Sequence, residues 1–201
     1  MPHRNDAPPS LNLPNLMTLA RLVSIPVLVA VFYLPNHWSG WLAAAIFVVA
    51  GITDWLDGYL ARRMKLTSRF GAFLDPVADK LMVAAALVLL VQNHATAWMA
   101  IPALVIISRE IAVSALREWM AEIGQRARVA VSWVGKVKTV VQIIAITALL
   151  VQTPGKTKAG DLLMTWDLWV SYSLLYLATA LTLLSMASYL RAAWPELWPR
   201  K

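Results

Sequence analysis

Six long apolar segments divide the chain, and short polar stretches separate each segment from the next. They cover approximately residues 13–34, 41–62, 72–91, 97–120, 131–151 and 168–190. Each segment is long enough to cross a hydrocarbon layer of about 30 Å as a helix with some tilt. Because a backbone in lipid must satisfy its own hydrogen bonds, these runs favour helices. The pattern predicts an all-α polytopic membrane protein with six transmembrane helices, one domain over residues 1–201 and a polar tail at residues 1–10.

The composition supports this prediction and narrows the chemistry. Hydrophobic residues make up 59% of the chain and charged residues 14%, and the mean hydropathy is +0.61, which is too apolar for a soluble domain. The absence of cysteine excludes disulfides and thiolate metal sites. His3, His37 and His94 are too scattered to predict a histidine metal cluster. The net charge of +7 is interpreted as contact with anionic lipid or substrate rather than with nucleic acid.

The distribution of basic residues predicts the orientation in the membrane. With a cytoplasmic N-terminus, the outer loops fall near residues 35–40, 92–96 and 152–167. Of the 18 lysines and arginines, only Lys156 and Lys158 lie in those loops. Because positively charged loops stay in the cytoplasm, we expect a multi-pass protein with both termini on that side.

Four aspartates interrupt the second and third apolar segments: Asp54, Asp57, Asp75 and Asp79. An ionised carboxylate is costly at membrane depth, so it persists where a partner stabilises it. Residues three or four apart share a helix face, so each pair forms one stripe, and a short cytoplasmic loop lets the stripes face each other. Converging carboxylates favour a hard divalent cation such as Mg²⁺ or Mn²⁺. We also expect Pro76 to mark the start of the third helix or a kink in it.

Two small residues and one polar strip accompany the aspartates. Gly58 and Ala61 either let helices approach closely or leave room for a lipid headgroup, and spacing leaves both interpretations open. Asn15, Thr18 and Arg21 share one face of the first helix at a spacing of three. A membrane arginine can extend its charge to the interface, but three polar residues on one face better fit a wall of the same polar cavity.

A second basic group comes from the fourth and fifth segments: Arg109, Arg117, Lys136 and Lys138. These residues could be ordinary cytoplasmic positive charges. Arg109 lies deeper, directly after Ile106, Ile107 and Ser108, where an unpaired cation is costly. A phosphate partner is the more specific explanation.

The order Asp-x-x-Asp-Gly-x-x-Ala-Arg, eight residues, then Gly-x-x-x-Asp-x-x-x-Asp runs from Asp54 to Asp79. It resembles, position by position, the signature of the CDP-alcohol phosphatidyltransferase family. Residues 13–21, 70–80, 109–110, 114–120 and 135–139 also resemble the bacterial branch of that family that uses glycerol 3-phosphate.

The resemblance implies transfer of a phosphatidyl group from CDP-diacylglycerol to glycerol 3-phosphate in phospholipid biosynthesis, giving phosphatidylglycerol phosphate and CMP. It implies two divalent ions, Mg²⁺ or Mn²⁺, on Asp54, Asp57, Asp75 and Asp79, and it makes Asp79 the general base as well. It further implies a polar cavity open to the cytoplasm, contact with membrane lipid, a homodimer and the bacterial inner membrane.

The resemblance also implies two sets of substrate-binding residues. Those expected at CDP-diacylglycerol are Asn15, Thr18, Arg21, Asp57, Gly58, Ala61, Arg62, Gly71 and Asp75. Those expected at glycerol 3-phosphate are Arg109, Arg117, Lys136 and Lys138.

Three alternatives remain open at this point. The signature alone also fits another alcohol acceptor, such as inositol phosphate or serine. A cation transporter would use the carboxylates as an ion path, although the outer halves of the second and third segments are apolar. An inactive scaffold would retain the fold without the reaction.

Overall fold

Six α-helices form the described part of the chain, and no strand occurs there. The computed structural model describes residues 13–64, 69–125, 133–152 and 166–197. The helices are α1 (Leu13–Phe32), α2 (Ser39–Met64), α3 (Arg69–His94), α4 (Ala97–Glu122), α5 (Trp133–Val151) and α6 (Trp166–Leu197). The all-α prediction is confirmed, and each apolar segment corresponds to one helix. The tail at residues 1–10, Lys156 and Lys158 lie outside the described residues.

Several helices are longer than the apolar segments that predicted them. α2 continues to Met64, α3 begins at Arg69, and α6 ends at Leu197, because hydrogen-bonded turns continue past the point where hydrophobicity ends. Of the two alternatives for Pro76, the helix start is excluded because Pro76 lies inside α3, and the kink stays a prediction. A proline removes one backbone donor, and membrane helices tolerate this loss where neighbouring groups satisfy the freed carbonyl.

Polar contacts at two opposite ends of the helices establish an alternating arrangement. At one end, residues in the first halves of α1, α3 and α5 contact residues in the second halves of α2, α4 and α6, as Arg21 contacts Asp54 and Lys138 contacts Glu110; we call this the polar end. At the opposite end, the Tyr33 hydroxyl after α1 donates to Gln92 of α3. There too, the Tyr172 hydroxyl of α6 lies 3.0 Å from Nδ1 of His94. Successive helices therefore run antiparallel.

The apolar core lies between the two ends. α1 packs against both α2 and α3, α4 packs against α3 and α6, and α5 packs against α2 and α6. The largest fully buried apolar side chains are Leu28, Leu87, Leu90, Met99, Ile106, Met120, Ile146, Leu149, Leu150 and Leu175. A smaller apolar cluster of Val113, Met120, Tyr189 and Ala193 joins α4 to α6 near the polar end.

Large apolar side chains also cover much of the outer surface. Leu104 of α4 and Leu184 of α6 are 68% and 64% exposed. Among the described residues, α4 and α6 are long and apolar enough to cross a membrane by length and composition, and residues Leu16–Phe32 and Ser39–Asp54 form shorter apolar helical stretches. A surface of this kind is costly in water but suited to lipid, so the helices indicate a membrane protein.

Gly40 provides a test of the packing between α2 and α5. A Cβ atom at Gly40 would lie 2.6 Å from the Leu150 carbonyl oxygen and 3.2 Å from that of Val151, whereas one at Gly51 would meet no atom within 4 Å. Because backbone cannot move aside as a side chain does, we expect Gly40→Ala to lower the free energy of unfolding by about 1–3 kcal/mol. Gly51→Ala is the control, and thermal unfolding in detergent measures both. Equal midpoints for Gly40→Ala and the parent would contradict this close approach.

Candidate active site

A cavity of about 600 Å³ lies at the polar end between α3, α4, α5 and α6. Its basic lining residues are Lys80, Arg109, Arg117 and Lys138, and its acidic ones are Asp79, Glu110 and Glu118. Ser114, Thr139 and Gln142 add neutral polar groups. A lining of both charge signs with several hydrogen-bond donors is suited to a polar, charged ligand.

Arg21 of α1 connects the acidic residues of α2 and α3. Its Nη1 donates to Oδ1 of Asp54 at 2.8 Å and to Oδ1 of Asp79 at 2.7 Å. The Arg21 side chain is 1% exposed, while those of Asp54 and Asp79 are 40% and 44% exposed. The guanidinium is therefore fixed inside the bundle, and the two carboxylates stay accessible on its outer side.

The polar face of α1 also contacts Asp75, which belongs to the acidic stripe of α3. The hydroxyl of Thr18, one turn before Arg21, is buried and donates to Oδ1 of Asp75. α1 thus joins the acidic stripes of α2 and α3 through two side chains that spacing had placed on one face. This position explains why polar residues are retained in an otherwise apolar helix.

Glu110 connects two buried cations of the second basic group. Its Oε1 accepts from Nη1 of Arg109 at 3.3 Å and from Nζ of Lys138. Arg109 and Lys138 are both buried. Because two cations share one carboxylate, the group keeps a net positive charge.

Arg109 has two further partners on α6. Its Nη2 donates to the Ser185 hydroxyl at 2.8 Å, and its guanidinium carbon lies 5.7 Å from the centre of the Tyr189 ring. A cation over an aromatic face is stabilised electrostatically. These contacts hold Arg109 in one orientation at the cavity wall.

Three of the four residues predicted at glycerol 3-phosphate share this cavity. Arg109, Arg117 and Lys138 line it together with Asp79. Lys136 is exposed and is not among the lining residues. Residues two apart on a helix do not share a face, so Lys136 and Lys138 point in different directions.

The sequence interpretation missed Lys80 and Ser114, and it did not assign a site role to Glu110. Nζ of Lys80 contacts Oγ of Ser114, which links α3 to α4. Their sequence positions could have indicated them. Lys80 follows the candidate base Asp79 directly. Glu110, Ser114 and Arg117 are spaced by four and three residues, so they share one face of α4.

Comparison with known proteins identifies the family. The profile described as CDP-alcohol phosphatidyltransferase matches residues 11–184. A protein of Yersinia pestis (strain Pestoides F) is 52% identical over 187 residues, covering 93% of this chain and 97% of the relative. A protein of Escherichia coli (strain K12) is 50% identical over 189 residues, covering 92% and 97%. Both are named CDP-diacylglycerol–glycerol-3-phosphate 3-phosphatidyltransferase.

The chain belongs to the CDP-alcohol phosphatidyltransferase family. From this family's signature, the structure describes the side chains of Asp54, Asp75 and Asp79, and all three contact α1. The remaining predicted residues whose side chains fall outside the description are Asn15, Asp57, Gly58, Ala61, Arg62 and Gly71. Among the side chains that are described, no group of three or more histidine, aspartate or glutamate residues could hold a metal ion. The metal and nucleotide roles of the signature stay predictions.

Glu110 should contribute strongly to stability. Glu110→Gln leaves Arg109 and Lys138 buried without their carboxylate, and removing one partner of a buried ion pair costs about 3–5 kcal/mol. Glu118→Gln is the control, because Glu118 is exposed and forms no ion pair within the described residues. Free energies of unfolding from denaturant titration in mixed micelles give the comparison. Similar values for the two variants would mean that the shared carboxylate does not stabilise the polar end.

Proposed function

We propose that this protein transfers the phosphatidyl group of CDP-diacylglycerol to glycerol 3-phosphate, producing phosphatidylglycerol phosphate and CMP. The observation that carries the proposal is the position of Asp79. Its side chain lines the cavity that also holds Arg109, Arg117 and Lys138, and it shares the Arg21 guanidinium with Asp54 of the signature. A proton acceptor and a phosphate-binding group then border the same space. The names of the two relatives support this choice of substrates.

Asp79 would act as the general base. Its carboxylate accepts the proton of the glycerol 3-phosphate hydroxyl, and the hydroxyl oxygen attacks the phosphorus of the phosphatidyl group. The bond from that phosphorus to the bridging oxygen breaks, and CMP leaves with the electron pair. Arg21 holds the Asp79 carboxylate by a 2.7 Å hydrogen bond, which limits its orientations before substrate binds.

The acceptor phosphate would lie against Arg109, Arg117 and Lys138. Arg109 suits this task because Ser185 and Tyr189 already fix its guanidinium, so little side-chain entropy is lost on binding. Lys136 is exposed and would act on the acceptor from outside this cavity.

The predicted CDP-diacylglycerol residues lie on α1, α2 and α3. There, Thr18 and Arg21 would hold the acidic residues around the nucleotide phosphates.

Carboxylates of Asp54, Asp57, Asp75 and Asp79 would hold two ions of Mg²⁺ or Mn²⁺, since the family generally depends on a divalent metal. The donor set fits: Asp54 and Asp79 converge on one cationic nitrogen and keep part of their surface exposed. Two carboxylates share a single guanidinium, so the group keeps negative charge that a metal cation could balance, and hard oxygen donors suit both metals. When bound, the ions would neutralise charge on the attacking and leaving oxygens.

All six helices would cross the bacterial inner membrane as a single domain, with the polar end and both termini in the cytoplasm. Water-soluble glycerol 3-phosphate and CMP then enter and leave the cavity on that side. The exposed apolar side chains on α4 and α6 support a lipid-facing surface along which the acyl chains could lie. The homodimer implied by the resemblance stays a prediction.

The decisive experiment measures CMP release by purified protein in detergent–lipid micelles with CDP-diacylglycerol and Mg²⁺. We expect release to require glycerol 3-phosphate, to stop with a chelator and to return with Mg²⁺ or Mn²⁺. Asp79→Asn and Asp57→Asn should each lower the rate by about 100-fold or more, because they remove a base or a metal ligand. Asp167→Asn is the control, since Asp167 lies at the opposite end of the helices.

Other outcomes of that assay would change the proposal in defined ways. Release with inositol phosphate or serine, but not with glycerol 3-phosphate, would keep the family and replace the acceptor. If the folded, metal-loaded protein released no CMP with any acceptor, the proposed enzymatic activity would be contradicted. Ion flux in liposomes without CDP-diacylglycerol would then favour a transporter.

Arg109→Ala should weaken binding of the acceptor specifically. Loss of a charge-assisted hydrogen bond should raise the KM for glycerol 3-phosphate by about tenfold or more. The KM for CDP-diacylglycerol should change by less than about twofold, because the described residues predicted at CDP-diacylglycerol, Thr18, Arg21 and Asp75, do not line the cavity that holds Arg109. Arg191→Gln is the matched control, since Arg191 is exposed and does not line the cavity. An unchanged KM for glycerol 3-phosphate would remove Arg109 from the acceptor site.

A further inference from the structure

The four cations that line the cavity differ in their partners. Arg109 and Lys138 share the Glu110 carboxylate, so part of their charge is already neutralised. Lys80 instead contacts the neutral hydroxyl of Ser114. Within the described part of the chain, no carboxylate forms an ion pair with Lys80. An ammonium group has three N–H donors, so Lys80 retains both its charge and donors for a ligand.

Lys80 lies close to the candidate base, Asp79. Lys80 follows Asp79 on α3, and both line the cavity. Its contact with Ser114 carries the ammonium to α4, where Ser114 lies between Glu110 and Arg117 along the cavity wall. Lys80 therefore bridges the helix that carries the candidate base and the helix that carries Arg109 and Arg117.

The acceptor of the proposed reaction needs a cation at this position. Its attacking hydroxyl must reach Asp79, and its phosphate lies only three carbon atoms away in the same molecule. A cation next to Asp79 can contact that phosphate while the hydroxyl stays at the base. A fixed donor network there adds electrostatic stabilisation before the reaction begins.

We propose that Lys80, held in place by the Ser114 hydroxyl, is a further residue that binds the acceptor phosphate and favours phosphorylated acceptors over neutral alcohols. The proposal rests on the function proposed above. Lys80 contacts the substrate directly, and Ser114 acts as a positioning residue by fixing the ammonium group.

The experiment compares Lys80→Gln, Lys80→Arg and Ser114→Ala with the parent in the CMP-release assay. We expect Lys80→Gln to raise the KM for glycerol 3-phosphate by about tenfold or more, and Lys80→Arg to recover most of this loss because it keeps the charge. Ser114→Ala should raise the same KM by about threefold or more. The KM for CDP-diacylglycerol should stay within about twofold in all three. Arg191→Gln and Ser173→Ala are the controls, since both residues are exposed and outside the cavity lining.

Two further readouts separate phosphate binding from a structural role. Inorganic phosphate should compete with glycerol 3-phosphate in the parent and compete about tenfold less well in Lys80→Gln. Lys80→Gln should keep the kcat at saturating glycerol 3-phosphate within about twofold, because Asp79 and its Arg21 partner are unchanged. An unchanged inhibition constant for inorganic phosphate in Lys80→Gln would overturn the proposal and leave Lys80 only a link between α3 and α4.

The outcomes also separate this inference from the proposed function. A parent protein without glycerol 3-phosphate-dependent CMP release contradicts the function, and the inference with it. A parent with that activity, together with an unchanged KM in Lys80→Gln, contradicts the inference alone. If Lys80→Gln does not fold, Ser114→Ala decides: a raised KM supports the proposal, and an unchanged KM overturns it.

Discussion

Burial of the Arg21 guanidinium is the interaction on which the polar end depends. A cation inside an apolar bundle is stable only with charged or hydrogen-bonding partners. Arg21 finds them in Asp54 on α2 and Asp79 on α3, so one nitrogen joins three helices. Removing either carboxylate would leave the cation with less compensation, and removing the cation would leave two carboxylates close together. The arrangement holds Asp54 and Asp79 in place before any substrate binds.

Buried cations with fixed partners also connect α4, α5 and α6 at the polar end. Glu110 joins α4 to α5 through Lys138, and Arg109 continues the network to Ser185 on α6. Among the described residues at the opposite end, the corresponding contacts between helices are neutral, as between Tyr172 and His94. The charged groups are thus concentrated where phosphates are expected to bind. The opposite end is stabilised by neutral hydrogen bonds and by the close approach at Gly40.

Much of this organisation follows from the sequence, because hydrophobic length determines helices in an apolar chain. All six helices were predicted, and the spacing of Thr18 and Arg21 correctly placed them on one face. The position of Pro76 was not predictable, because a proline can begin a helix or lie within one, and tertiary context decides between them. The contact of Glu110 with Lys138 on another helix was not predictable either. Spacing relates a residue to its own helix, whereas the rotation of one helix against another depends on packing across the whole bundle.

The charges of the cavity also bear on its selectivity. Among the described residues that line it, four basic and three acidic ones nearly balance, so this lining is not a general anion trap. The charges are mixed along the cavity: Lys80 lies beside Asp79 on α3, and Glu110 lies beside Arg109 on α4. Glu110 is already paired with Arg109 and Lys138, so a ligand benefits most when it presents a hydroxyl to Asp79 and a phosphate to the cations. A neutral alcohol leaves the cations without a partner, and a simple phosphate leaves the carboxylate unused. A molecule with both groups a few atoms apart can contact Asp79 and the cations together, and glycerol 3-phosphate is such a molecule.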